Sequence, residues 1–185
     1  MAVIKLREKN FKLGCLHGKL QAEDKNSEAH IQRTIFLSQR IKVKRKRNSA
    51  SIVRVFGYEV PLEKGKSRGR CVDLMGYDED CNLYIIELKK KEAKDKIEDV
   101  ICQINDYEKS VKEILPQIQK EFKNAFLFPI EIKFKSIKKM IIAPREFYEG
   151  KKKLLTDKTI EYGHFLDKDI NIREPRNIVN IHLEK

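Results

Sequence analysis

The sequence has no hydrophobic run long enough to cross a membrane. A transmembrane helix needs about 18 or more consecutive apolar residues, and no such run occurs anywhere in the chain. Residues 1–9 contain no uninterrupted hydrophobic region of the kind that a secretory signal needs. These absences predict a cytoplasmic protein that has no membrane partner.

Cysteine is scarce and shows no metal-binding spacing. The four cysteines form no CxxC pair and fall mostly in apolar segments; they are Cys15, Cys71, Cys81 and Cys102. We therefore expect reduced core cysteines and no zinc site. Linker-like and low-complexity tracts are also missing, so the 185 residues are predicted to form a single domain, residues 1–185.

Positive charge is what the sequence has in excess. Lys and Arg number 40 against 28 Asp and Glu, which gives a net charge of +12 and favours a polyanionic partner. A basic but merely solvated surface is the alternative. The basic run 42–47, expected to close a helix or follow it as a loop, and the loop 64–70 contain most of the predicted phosphate contacts. These contacts are Lys44, Arg45, Lys46, Arg47, Lys66, Arg68, Arg70 and Lys90.

Two neighbouring segments predict a β-hairpin that carries charges within apolar strands. Residues 71–77 are apolar apart from Asp73, and residues 83–89 are apolar apart from Glu87 and Lys89, with turn-forming residues between the two segments. Because side chains alternate along a strand, Glu87 and Lys89 project from the same face.

The length of the hairpin turn decides whether the two acids meet. A three-residue loop centred on Asp80 would place Asp73 directly opposite Glu87. An even-numbered loop would shift the register by one residue and send Asp73 to the other face.

The remaining periodicity predicts the other elements of the fold. A helix is expected to begin at Asn26–Ser27 and run to about Arg40, and a strand over 52–62 precedes the hairpin. The apolar stripe over 93–115 predicts a long helix that ends before Pro116, and a strand follows. This order, αβββαβ, predicts an α/β fold with a mixed central sheet flanked by helices.

Carboxylates that converge beside a lysine suit a hard divalent cation. Their oxygens can bind Mg²⁺ while water and substrate phosphate fill its other positions. Mn²⁺ is expected to substitute. The alternative is a salt bridge between two strands at the protein surface, which contributes little to stability.

Asp73, followed by Glu87-Leu88-Lys89 at the end of an apolar strand, resembles the D … (D/E)xK signature of the PD-(D/E)xK nuclease superfamily. Gln103 and Tyr107 in the following helix are similar to the QxxxY element of its RecB-like branch. The resemblance covers about residues 27–143 and implies a restriction-endonuclease-like core, with decorations at both ends. Val72 stands where the signature's name has proline.

The resemblance also implies roles for individual residues. Asp73, Glu87 and Glu28 would be metal ligands, Lys89 the catalytic lysine, and Gln103 and Tyr107 residues that line the site. The function implied is a Mg²⁺-dependent nuclease that hydrolyses phosphodiester bonds in DNA, acting as a homodimer or with a partner subunit if it cuts both strands. The alternative is a catalytically silent nuclease-like module that binds nucleic acid within a defence or repair complex.

Overall fold

The computed structural model describes residues 13–14, 27–45, 49–63, 70–126, 132–166 and 178–184. Within these residues, seven strands close into a mixed β-barrel that is accompanied by two α-helices. The elements in chain order are α1 (Glu28–Ser38), β1 (Arg40–Lys44), β2 (Ala50–Pro61), β3 (Cys71–Tyr77), β4 (Leu83–Leu88), α2 (Ile97–Ala125), β5 (Ile137–Pro144), β6 (Ile160–Phe165) and β7 (Val179–Leu183). None of the helices described is both long and apolar enough to span a membrane.

The barrel corrects the expectation of an open central sheet flanked by helices. β1 to β4 form an antiparallel meander, β4, β5 and β6 run parallel, and β7 pairs antiparallel with β6. β7 then pairs in parallel with β1, from Ile41 opposite Val179 to Lys44 opposite His182, and this pairing closes the sheet. Strands near the end of the chain, expected as decorations of a core, therefore form part of the barrel wall.

β1 is a strand that the sequence did not predict, because its charged residues indicated the end of a helix or a loop. The basic run was expected to end the first helix or form a loop, but its first residues are extended. Ile41 and Val43 are buried, whereas the arginine and lysines that alternate with them are exposed. This alternation is the pattern of a strand with one buried face.

The start of α1 agrees with the sequence prediction. The Ser27 side chain caps the helix by accepting a hydrogen bond from the His30 N–H at 3.1 Å, which satisfies one of the free N–H groups of the first turn. The helix ends where Gln39 adopts a left-handed backbone with φ of 57°, and the chain turns into β1.

The two faces of the barrel wall form two separate cores. All seven strands and α1 contribute to one cluster, which is the barrel interior and includes Tyr84, Ile86 and Leu88 of β4. The other cluster lies on the outer face, where α2 packs against strands β2 to β6 and contacts Leu83 and Ile85 of β4. The two helices thus lie on opposite sides of the same wall.

The expectation that α2 ends before Pro116 is wrong. The helix continues to Ala125 with Pro116 inside it, although proline removes one helical hydrogen bond and costs about 3 kcal/mol. Ile118 and Phe122 follow the proline and are buried in the outer cluster, and burial of two such side chains contributes about 3 to 6 kcal/mol. Packing of the last helical turns therefore offsets the cost of the proline.

Gly163 lies where β6 meets β7 and permits the close approach of the two strands. A Cβ at this position would stand 2.4 Å from Cγ2 of Ile181. We predict that Gly163→Ala lowers the free energy of unfolding by about 1 to 3 kcal/mol through overpacking, measured by urea denaturation. Ile181→Ala removes the opposing methyl group, so the double variant should lose less stability than the sum of the two single variants. Fully additive losses would contradict this packing.

Candidate active site

The β3–β4 hairpin brings Asp73 close enough to Glu87 for the two charges to interact. The paired ladder runs from Tyr77 opposite Leu83 to Leu74 opposite Ile86, so Asp73 and Glu87 are the residues that follow the last pair on each strand. The turn between Tyr77 and Leu83 holds the five residues 78–82, not three, but it is odd-numbered and centred on Asp80 as the prediction required.

Asp78 fixes the length of this turn. Its carboxylate is buried and accepts hydrogen bonds from the Asn82 backbone N–H at 2.9 Å, the Asn82 amide at 2.9 and 3.0 Å and the Asp80 backbone N–H at 3.1 Å. Lys138 of the neighbouring strand pairs with it at 2.9 Å. Burial raises the pKa of Asp78, but the bonds from Asn82 and Lys138 lower it by a larger amount, so the net shift is downward. The carboxylate therefore keeps the negative charge that holds the turn.

Asp73, Glu87 and Lys89 make direct contacts that orient their functional groups. The Leu88 N–H donates to Asp73 Oδ2 at 2.7 Å, and Lys89 Nζ donates to Glu87 Oε1 at 2.8 Å. The side chains of Glu87 and Lys89 are only 3% and 9% exposed. An acid and a lysine are thus held inside the wall with little contact to water.

The electrostatics of the site favour the arrival of a cation. Burial, and then the nearby Glu87 carboxylate, raise the pKa of Asp73 well above its usual value, and burial likewise raises the pKa of Glu87 despite its pairing with Lys89. Burial lowers the pKa of Lys89, but the charge and hydrogen bond of Glu87 raise it by a larger amount, so the net shift is upward. Two acids and one charged lysine leave an excess of negative potential.

The first helix contacts this hairpin through a residue that the sequence analysis missed. Gln32 is buried, and its side-chain amide donates to the Asp73 carbonyl oxygen at 2.8 Å. Glu28 lies four residues earlier on the same helix face, and its charge raises the pKa of both Asp73 and Glu87. The signal for Gln32 was a polar residue beside Ile31 within the apolar stripe of α1.

The second helix supplies the other predicted pair. Gln103 Nε2 donates to the Tyr107 hydroxyl oxygen at 2.6 Å, so the phenol hydrogen remains available for donation to another group. Burial raises the pKa of Tyr107 to about 12, and the charges of Glu87 and Asp73 contribute to the shift. Tyr107 is therefore a neutral hydroxyl donor beside the two acids.

The donor set fits a hard cation held by two carboxylates. Glu87 Oε2 is buried, and among the described residues no hydrogen-bond donor reaches it, which leaves one carboxylate oxygen available as a ligand. In the part of the chain that the structure describes, no three or more His, Cys, Asp or Glu side chains are grouped as a metal site. The protein would thus provide Asp73 and Glu87, and water or substrate oxygens would complete the coordination. A ligand role for Glu28 stays a prediction.

The predicted phosphate contacts are not gathered at one place. Arg70 and the exposed Lys90 flank the hairpin ends that carry the acids. Arg45 instead pairs with Glu161 at 2.7 Å and with the Tyr84 hydroxyl at 3.4 Å. Because Tyr84 belongs to the interior cluster and Glu87 faces outward, Arg45 lies on the other side of the wall from the acids. Lys44 is exposed on β1, and the other predicted contacts, Lys46, Arg47, Lys66 and Arg68, lie outside the described residues.

The described cysteines are free thiols that do not belong to the site. Cys71 and Cys81 are half-buried and Cys102 is exposed, so the expectation of core positions is wrong for Cys102. Cys15 lies outside the described residues.

Comparison with protein-family models, with curated proteins and with solved structures finds no match to this chain.

Repulsion between the two acids makes a prediction about stability. Asp73→Asn keeps an oxygen that accepts from the Leu88 N–H but removes the charge, so we expect the free energy of unfolding to rise by about 1 kcal/mol at pH 8 without metal, or about 2 to 4 °C in Tm. Asp80→Asn, at the exposed centre of the turn, is the control.

The sign of the pH dependence follows from the raised pKa of Asp73. The folded protein holds the Asp73 proton more tightly than the unfolded chain does, so its stability falls as the pH rises from about 4, the pKa of an unfolded aspartate, to the raised pKa of the folded state. At higher pH the loss of stability is complete. The gain from Asp73→Asn should therefore vanish near pH 4 in thermal denaturation. A destabilised variant at pH 8 would contradict the repulsion.

Proposed function

We propose that this protein is a metal-dependent nuclease that hydrolyses phosphodiester bonds in DNA. The observation that supports this most directly is the pair Asp73 and Glu87, held near each other by adjacent strands, in which Glu87 is buried and one of its oxygens lacks a donor among the described residues. A surface salt bridge contributes little to stability and gives no reason for burying Glu87 and Lys89.

Asp73 and Glu87 would bind Mg²⁺ or Mn²⁺ in this proposal. A bound divalent cation supplies a lowered pKa for coordinated water and stabilises charge that develops on phosphate oxygens. The charge of the cation would also relieve the repulsion that raises the pKa of both carboxyl groups. The protein holds the two ligands on adjacent strands, which fixes their spacing before the substrate binds.

Lys89 acts in this proposal as a fixed positive charge. The raised pKa of Lys89 keeps it protonated at neutral pH, so it is a poor general base in the metal-free site. Its ammonium group can orient the attacking water and stabilise the oxyanion that forms on phosphorus. Tyr107, held by Gln103, provides a neutral hydrogen-bond donor on the neighbouring helix.

The resemblance to the PD-(D/E)xK superfamily supports the same chemistry through motif order alone. Asp73, the Glu87 and Lys89 pair and the Gln103 and Tyr107 pair occur in the order expected and on the strand, strand and helix expected. The closed barrel departs from the architecture that the resemblance implied. The proposal therefore depends on the site, since a fold does not by itself establish a function.

Removal of any one of the three central side chains should abolish cleavage. We predict that Asp73→Ala, Glu87→Ala and Lys89→Ala each lower the rate of DNA hydrolysis with Mg²⁺ by about 1000-fold or more, because each removes a ligand or a charge that acts on the reacting phosphate. Labelled single- and double-stranded DNA with Mg²⁺ or Mn²⁺ measures the rate. Glu113→Ala, an exposed acid on α2, is the control, and circular dichroism checks that each variant is folded.

The same assay distinguishes the alternative of a silent binding module. Affinity for DNA that persists in EDTA and falls steeply with salt, together with no cleavage under either metal, would support that module and contradict the nuclease. A Lys89→Ala variant that cleaves as fast as the wild-type protein would also contradict the proposed mechanism.

A further inference from the structure

Arg70 is a further cation near the candidate site, next to Tyr107. Its backbone is fixed at the start of β3, where the Arg70 carbonyl oxygen accepts from the Leu62 N–H at 2.8 Å. Its guanidinium carbon lies 5.6 Å from the centre of the Tyr107 ring, and Tyr107 is itself close enough to Asp73 and Glu87 for their charges to raise its pKa. Arg70 thus lies over the face of the aromatic ring that neighbours the two acids.

The contacts of Arg70 restrain its position but do not saturate its donors. Nε lies 3.8 Å from a Glu63 oxygen and Nη2 lies 3.9 Å from an Asp106 oxygen. Both distances exceed the 2.7 to 2.9 Å range of a charge-assisted hydrogen bond. The guanidinium carries five N–H donors in its plane, and its side chain is 28% exposed, so donors along the edge of that plane can bind an oxyanion.

Arg70 differs in this respect from the other cations that contact described acids near the site. Lys89 already donates to Glu87 at 2.8 Å, and a primary ammonium is a point charge without a fixed fork. An arginine supported on an aromatic ring loses less conformational freedom when it binds a phosphate, because the ring already restricts the guanidinium plane.

We propose that Arg70, supported on the Tyr107 ring, binds the non-bridging oxygens of the phosphate that is cleaved. The proposal rests on the proposed function and deepens it by assigning the residue that positions the substrate phosphate over the Asp73 and Glu87 pair. The substrate class follows from the chemistry: a phosphodiester with two free anionic oxygen positions matches the two parallel N–H donors of a guanidinium. Tyr107 then acts as a positioning residue through Arg70 as well as through its own hydroxyl.

Single-turnover cleavage separates this role from a structural one. Arg70→Ala should lower the cleavage rate at saturating enzyme by about 100-fold while DNA affinity, measured with Ca²⁺ in place of Mg²⁺, falls by much less. Arg70→Lys keeps the charge but loses the fork, so its rate should lie between the two. Methylguanidinium added to Arg70→Ala should restore part of the rate, which a purely structural defect would not allow.

A matched control and a double variant complete the test. Arg54→Ala removes an exposed arginine on β2 that pairs with Tyr77 at the other end of β3, and it should cleave at the wild-type rate. Tyr107→Leu removes the supporting ring, and combined with Arg70→Ala it should lose less than the product of the two single losses.

The outcomes distinguish this proposal from the function beneath it. Wild-type protein that cleaves DNA while Arg70→Ala cleaves equally fast would overturn the role of Arg70 and leave the nuclease intact. Equal losses in Arg70→Ala and Arg54→Ala, or no rescue by methylguanidinium, would also overturn it. A wild-type protein that cleaves no DNA would overturn both.

Discussion

The odd-numbered turn at Asp78 is the constraint on which the proposed site depends. A change of one residue in the register would move the side chains of β3 to the other face of the wall, and Asp73 would no longer lie beside Glu87. The buried Asp78 carboxylate, at the first position of the turn, opposes such a shift by accepting hydrogen bonds from Asp80 at the centre and Asn82 at the far end, and by pairing with Lys138. The turn lies several residues away from the two acids, yet its length sets the register that brings them together.

The barrel wall explains how charged groups can be buried without disrupting the core. Glu87 lies on the same face of β4 as Leu83 and Ile85, the face that α2 covers. The acid therefore lies at the edge of an apolar cluster, where substrate and a cation could still bind. The ion pair between Glu87 and Lys89, and the hydrogen bond from the Leu88 N–H to Asp73, offset part of the free-energy cost of removing the two carboxylates from water. The remaining unfavourable interaction between the acids is what a bound cation would remove, so stability and function oppose each other here.

Local elements of the structure could be predicted from the sequence because their signals are local. Ser27 has the chemistry of a helix cap, and the hairpin strands are apolar between turn residues, so α1, β3 and β4 were expected near their observed bounds. Pro116 was misleading because the helix after it is held by tertiary packing, which overrides propensity.

Closure of the barrel could not be predicted in this way. It depends on pairing between Ile41 and Val179, residues separated by most of the chain, and no local pattern reports a contact of that range. The same limit applies to charge: Arg45 has the composition of a phosphate contact, but its partner Glu161 comes from a distant strand. No local pattern predicts the contact between Arg70 and Tyr107 either, because it joins the start of β3 to α2.

The central claim is that Asp73 and Glu87 together bind a divalent cation, and a crystal structure of the protein soaked in Mn²⁺ tests it most directly. The account predicts an anomalous peak between the two carboxylates, about 2.0 to 2.2 Å from one oxygen of each, with the Lys89 ammonium close by. Carboxylates that point apart, or a peak at another place and none between these two residues, would contradict it.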